Sequence, residues 1–170
     1  MNIEEAKEQF IQIWGTWGTN WGINRTMAQI HALLLSSTEA LCTEDIMQQL
    51  NISRSNANTN IHELLNWGLI FKEVKTGDRK EYFSAEKDIW QMSLKIIKER
   101  KKRELDNVQK NLQQITEKTT INKKSSNDLA FIQMVEEMEM LIQIINTFFS
   151  KIEQVDRTWI DKKLLKFLMS

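Results

Sequence analysis

Apolar positions recur at three- and four-residue spacing along most of the chain, the mark of amphipathic helices. Phe10, Ile13, Trp14, Trp17 and Trp21 form the first stripe, behind Glu4, Glu5 and Glu8, an acidic opening that suits a helix N-terminus. A helix over 2–20 follows, which the cluster Gly15, Gly18 and Gly22 lets pack closely and then ends. Asn24 reads as the N-cap of a second helix running to Ser36, with Met27, Ile30, Leu33 and Leu34 inward. Thr43, followed by Glu44 and Asp45, is the expected N-cap of a short helix to Leu50, with Ile46 and Leu50 inward. Asn51 tolerates the left-handed backbone of a sharp turn. Ser53 then caps a further helix, whose inward face is Ala57, Ile61, Leu64 and Leu65 and which closes at Trp67-Gly68.

The period changes once. Residues 69–75 are rich in strand formers, Thr76-Gly77-Asp78-Arg79 is a turn, and residues 80–84 return. Together they predict a hairpin with a polar, partly basic tip. From Glu86 the helical period resumes. Ile89, Met92, Ile96 and Ile97 give one face, which Leu105, Val108, Leu112 and Ile115 continue. Residues 117–127 read as a polar loop, 128–152 as a strongly apolar helix, and Trp159 to Leu168 as a last short helix.

Composition agrees with a helical chain. Proline is absent, and after Gly77 no glycine follows either, so the second half lacks strong helix breakers. Hydrophobic residues make up 41% of the 170, enough for a core. No apolar run approaches the ~18–20 residues of a membrane span, and no signal peptide is visible. The one cysteine, Cys42, excludes an intramolecular disulfide and points to a cytoplasmic setting. Net charge is zero but uneven: residues 1–92 carry −4, 93–124 carry +6 and 125–170 carry −2.

The paired short helices form a helix-turn-helix, and the basic-tipped hairpin after them makes it a winged one. The chemistry of such a unit is binding. A helix N-terminus offers backbone N–H groups to phosphate, and one helix fits a major groove with its early side chains at the base edges. At 100° per residue Thr59 points directly away from the apolar face. Ser55 and Asn56 flank it, and Asn58 and Asn60 lie nearer the boundary. Arg54 stands in the first turn, within reach of phosphate or base. A helix needing only solubility more often uses Glu and Lys than this Ser/Asn/Thr run. DNA reading therefore outweighs a merely solvated face. The candidate DNA-binding residues are Thr43, Ser53, Arg54, Ser55, Asn56, Asn58 and Thr59, with Arg79 and Lys80 at the hairpin tip; the bland alternative at the tip is an Asp78–Arg79 contact.

These residues resemble MarR-type winged-helix transcription regulators, most closely their GbsR branch. The resemblance rests on Trp21-Gly22-Ile23-Asn24-Arg25-Thr26-Met27-Ala28-Gln29-Ile30-His31-Ala32-Leu33-Leu34, Ser53-Arg54-Ser55-Asn56 with Glu63-Leu64, Trp67-Gly68-Leu69, Gly77-Asp78-Arg79-Lys80 and Ala85-Glu86-Lys87-Asp88-Ile89-Trp90. It covers roughly residues 10–115; the C-terminal third matches only in being helical. It implies a homodimer on a near-palindromic operator, with terminal helices at the dimer interface. Some relatives sense small molecules, choline among them; that property does not transfer without matching pocket residues, and the sequence identifies none.

Other features weigh less. The tryptophans at stripe spacing favour packing over an aromatic cage, and Trp67 and Trp90 brace the hairpin. Lys98 to Arg103 is read as a solvated basic face before a contact with the DNA backbone or with the acidic first segment, and Arg25 as either a phosphate contact or an ion pair. Neither His31 nor His62 has a second ligand at metal spacing. Cys42 is a small buried thiol sooner than a redox sensor. No phosphate loop, nucleophile elbow or paired-carboxylate motif is present, so neither an enzyme nor a cofactor is expected.

The expected fold is mainly α: a winged helix-turn-helix with a two-stranded β wing and a long-helix dimerisation module. The expected division is an N-terminal helix over 1–22, the DNA-binding domain over 23–85 and a helical dimerisation region over 86–170. The expected function is a cytoplasmic homodimeric regulator, most simply a repressor, binding double-stranded DNA and responsive to an effector of unknown identity. Its reading helices would lie ~34 Å apart. The alternatives are a winged-helix protein-interaction module, and a small-molecule-binding helical protein.

Overall fold

A computed structural model describes residues 1–20, 22–118 and 126–153. Trp21, the centre of the polar loop and the short helix from Trp159 to Leu168 lie outside the described residues. In chain order the elements are α1 (Ile3–Asn20), α2 (Arg25–Ser36), β1 (Leu41–Cys42), α3 (Thr43–Leu50), α4 (Arg54–Asn66), β2 (Ile70–Val74), β3 (Glu81–Ala85), α5 (Ile89–Lys118) and α6 (Ser126–Glu153). Two compact units result, Met1–Ile96 and Ile97–Ser170.

The first unit is a winged helix-turn-helix. Asn24 caps α2 as the sequence predicts, its Oδ1 accepting from the Thr26 and Met27 N–H groups. Ser53 caps α4 in the same way, and Asn51 holds φ 51° and ψ 52° at the intervening turn. Such caps satisfy amides that a helix end leaves orphaned. The core gathers Ile30, Leu33 and Leu34 of α2, Ile46 of α3, Ala57, Ile61 and Leu64 of α4, and Ile70, Phe83 and Ala85 of the sheet.

Three expectations change. The wing is part of a three-stranded antiparallel sheet in the order β1-β3-β2, with Leu41 opposite Phe83 and Cys42 opposite Tyr82. A two-residue strand has no period to reveal it. Thr43 opens α3 but is not its N-cap; Cys42 holds that place, and the Asp45 carboxylate accepts the Cys42 N–H at 2.9 Å. The packed face of α1 is rotated from the aromatic stripe, of which Phe10 and Trp14 still pack, partly buried, against the core. Ile11, Gly15 and Gly18 are buried, while Ile13 and Trp17 are exposed. The glycines form the line of contact with α2: a β-carbon on Gly15 would stand 2.7 Å from Gln29 Cγ.

Asp88 caps α5, accepting from the Trp90 and Gln91 N–H groups. Met92 of the expected α5 face is buried, but Ile89, in the opening turn, is exposed. Lys87 donates to the carbonyls of Leu34, Leu35 and Ser37 at 2.7–2.8 Å, satisfying the C-terminal end of α2.

In the second unit α6 runs antiparallel to α5. Thr116 Oγ1 donates to Glu139 at 2.9 Å and Asn146 Nδ2 to Gln109 at 2.8 Å. Ile132, Val135 and Ile142 are buried. A second apolar seam, Met134, Met138, Leu141, Ile144 and Phe148, is exposed along α6.

Candidate nucleic-acid interface

Local sequence places the polar face of α4. Ala57, Ile61 and Leu64 turn into the core, so the residues between them project outward. Ser55, Asn58 and Thr59 are exposed. The Thr59 hydroxyl donates back to the Ser55 carbonyl at 2.9 Å, leaving its oxygen lone pairs and methyl group for the outer surface. Ser53 Oγ is committed to the cap, 3.3 Å from the Asn56 N–H. Thr43 is half-buried.

Arg54 is exposed and carries the positive charge of the first turn. Its guanidinium donates to Glu44 Oε1 of α3 at 2.6 Å. The Glu44 carboxyl is held below its usual range by its own backbone N–H first, then by the Cys42 thiol and by this pair. Spacing did not reveal the pair, because its members lie on different helices.

Asn56 is exposed yet tethered. Its Nδ2 approaches Thr26 Oγ1 of α2 at 3.5 Å, and its Oδ1 accepts from Asn60 at 2.7 Å. Asn60, expected at the boundary, is only 4% exposed. It also donates to the Asn56 carbonyl at 2.8 Å. A buried amide needs such partners.

The hairpin tip is ordered by its own side chains. Gly77 turns the chain at φ +85°. Asp78 accepts from the Lys80 N–H at 3.0 Å and from the Tyr82 hydroxyl at 2.7 Å. These hydrogen bonds favour the carboxylate, so Asp78 is depressed below the ordinary range, while the Tyr82 phenol is pushed up to about 12. The Lys75 ammonium sits 4.0 Å from the centre of the Tyr82 ring. Lys72 pairs with Glu81 on the adjoining strand. Asp78 meets Arg79 at the Arg79 backbone N–H, which adds to the lowering of the carboxyl, and no ion pair joins the two side chains among the described residues. The Arg79 side chain is exposed and has no ion pair among the described residues. Lys80 lies close enough to α3 for its charge to help lower Asp45.

Elsewhere, Arg25 has no ion pair among the described residues and donates to Gln12 Oε1 at 3.1 Å. In the basic cluster on α5, Arg100 pairs with Glu104 and Arg103 with Glu99. Cys42 is buried, which pushes its thiol up and away from the reactive range. His31 is 2% exposed, with no hydrogen bond to Nε2 among the described residues. Burial and the Lys87 charge depress its pKa to about 4. Among the described residues no group of three His, Cys, Asp or Glu side chains forms a metal cluster. No helix among them is long and apolar enough to cross a membrane.

No family model matches the chain, and no curated protein matches it in sequence. Solved structures do resemble it. One, described as a transcriptional regulator, is 18% identical with a TM-score of 0.56, over 86% of this chain and 99% of its own. A point mutant of S. aureus MepR bound to an oligodeoxyribonucleotide is 12% identical with a TM-score of 0.40, over 80% and 92%. The first likeness is one of fold, and the fold is a winged helix-turn-helix.

Proposed function

We propose that this chain is a DNA-binding transcription regulator, a MarR-type protein of the GbsR branch. In this reading it acts in the cytoplasm as a homodimeric repressor of a near-palindromic operator, and an effector that favours one dimer geometry adjusts its affinity. The observation that carries the reading is the α4 surface. A capped helix turns Ser55, Asn58 and Thr59 outward without a single acidic side chain in its first two turns. A basic hairpin tip belongs to the same compact unit. Phosphate contacts from Arg54, Arg79 and Lys80 would set register, and the amides and hydroxyls of α4 would meet base edges.

The seam of Met134, Met138, Leu141, Ile144 and Phe148 supports association. Apolar side chains at this spacing along one helix are a surface that a second copy covers. The reading is of a binding protein.

One observation favours a protein-interaction role instead. The unit Met1–Ile96 carries nine basic and twelve acidic side chains, net −3, an unusual field for a nucleic-acid binder. Selecting bound fragments from genomic DNA, then titrating the recovered sites against salt, separates the two. A regulator recovers a recurrent near-palindrome and loses affinity as salt rises. An interaction module recovers no common sequence.

A further inference from the structure

The reading face of α4 contains an amide whose direction the helix itself fixes. Asn60 is buried, and one atom of its side-chain amide lies 2.8 Å from the Asn56 carbonyl oxygen and 2.7 Å from Asn56 Oδ1. A backbone carbonyl only accepts, so the Asn60 atom facing it is the nitrogen. That nitrogen donates, so the Asn56 atom facing it is the oxygen. The Asn56 Oδ1 is thereby turned toward the helix, and Nδ2 is turned away. Nδ2 lies 3.5 Å from Thr26 Oγ1, which takes at most one of its two hydrogens, and Asn56 itself is exposed. Flipping the Asn56 amide would set two NH2 groups against each other beside a buried side chain, which leaves polar groups unsatisfied.

The geometry points to Asn56 as a reader of DNA that presents its donor, with Asn60 as the positioning residue that sets its polarity. This rests on the DNA-reading function above. An asparagine that is free to turn pairs with adenine through both ends, its oxygen taking the N6 amino group and its nitrogen giving to N7. With its oxygen engaged by Asn60, Asn56 offers the second half of that contact. It recognises a major-groove acceptor: purine N7, guanine O6 or thymine O4. Base amino groups, on adenine N6 or cytosine N4, meet only the remaining lone pair of an oxygen already engaged by Asn60. Guanine, with two adjacent acceptors, is its best partner.

The test has one arm without DNA and one with it. In the DNA-free protein, 15N spectra should show the Asn60 side-chain NH2 protons slow to exchange with solvent, and their resonances should move in Asn56→Ala. Fast exchange, or resonances unmoved by Asn56→Ala, overturns the relay. In the second arm, operator duplexes carry single base analogues. A 7-deazapurine, or another base lacking the acceptor, at the Asn56-dependent position should cost the parent roughly 3–10-fold in affinity, the worth of one hydrogen bond. It should cost Asn56→Ala nothing. Removing a base amino group there should affect both proteins equally. Asn60→Leu, checked for folding by its melting curve, should make affinity newly sensitive to amino-group removal, because the amide is then free to turn. An Asn56-dependent loss on removing an amino group in the parent overturns the proposal, as does an Asn56→Ala effect that is uniform over all sequences. If no duplex is selectively bound, the regulatory reading fails and donor reading fails with it, while the spectra still decide the relay.

Discussion

Arg54 of α4 and Glu44 of α3 are joined by a 2.6 Å ion pair across the helix-turn-helix. Both side chains are exposed, so the pair adds little to stability. Its consequence is electrostatic: the positive charge in the first turn of α4 is already paired before any phosphate approaches. Glu44→Gln releases it. DNA affinity should rise roughly 2- to 10-fold at low salt, and the slope of log K against log salt should steepen by about 0.9. Fluorescence anisotropy over a salt series reads both. An unchanged slope means that Arg54 does not meet phosphate.

At the wing, Arg79→Ala should weaken binding about uniformly over sequences and flatten the salt slope by about 1. Tyr82→Phe removes the hydroxyl that Asp78 accepts but keeps the ring under Lys75. It should leave the melting temperature nearly unchanged and still weaken binding, because the tip is no longer held. Equal affinity for parent and Tyr82→Phe would show that wing order is irrelevant to binding.

Gly18 faces α2 so closely that an added β-carbon would lie 2.6 Å from Ala28 Cβ. Alanine in place of a mid-helix glycine ordinarily stabilises by ~1 kcal/mol. Here overpacking opposes it, and Gly18→Ala should destabilise by about 1–3 kcal/mol. Denaturant unfolding gives the sign directly.

His31 is held neutral in the fold, with its pKa lowered from 6.5 to about 4. The unfolded chain takes up a proton on His31 below about pH 6.5 and the folded chain only below about pH 4. The stabilisation is therefore complete above pH 6.5 and lost as pH falls through this window, by roughly 3 kcal/mol in all. In His31→Leu, unfolding free energy should vary less with pH between 6.5 and 4, by up to about 1.4 kcal/mol per unit. Identical slopes would show that His31 protonates freely in the fold.

Leu141 lies 58% exposed in the outer seam of α6. If a second copy covers it, Leu141→Lys places a charge in an apolar contact and should convert dimer to monomer in sedimentation equilibrium, with helicity retained. A parent that sediments as a monomer at micromolar concentration contradicts the dimer reading.

The sequence alone determined the order of elements, the helix-turn-helix and the hairpin. Its signals are local. Asn24 and Ser53 cap amides two or three residues on, Asn51 and Gly77 adopt turns that other residues resist, and apolar spacing repeats within a few turns. Tertiary structure decided what depends on where elements meet. Packing with α2 selected Gly15 and Gly18 as the inner face of α1 over the neighbouring aromatic stripe. Strand β1 exists because β3 lies beside it. Asn60 is buried, Arg54 meets Glu44 and Lys87 reaches carbonyls about fifty residues away. Periodicity gives a helix its apolar side, but the exact partner of each polar atom is set by the crossing of two helices, which no single stretch of chain encodes.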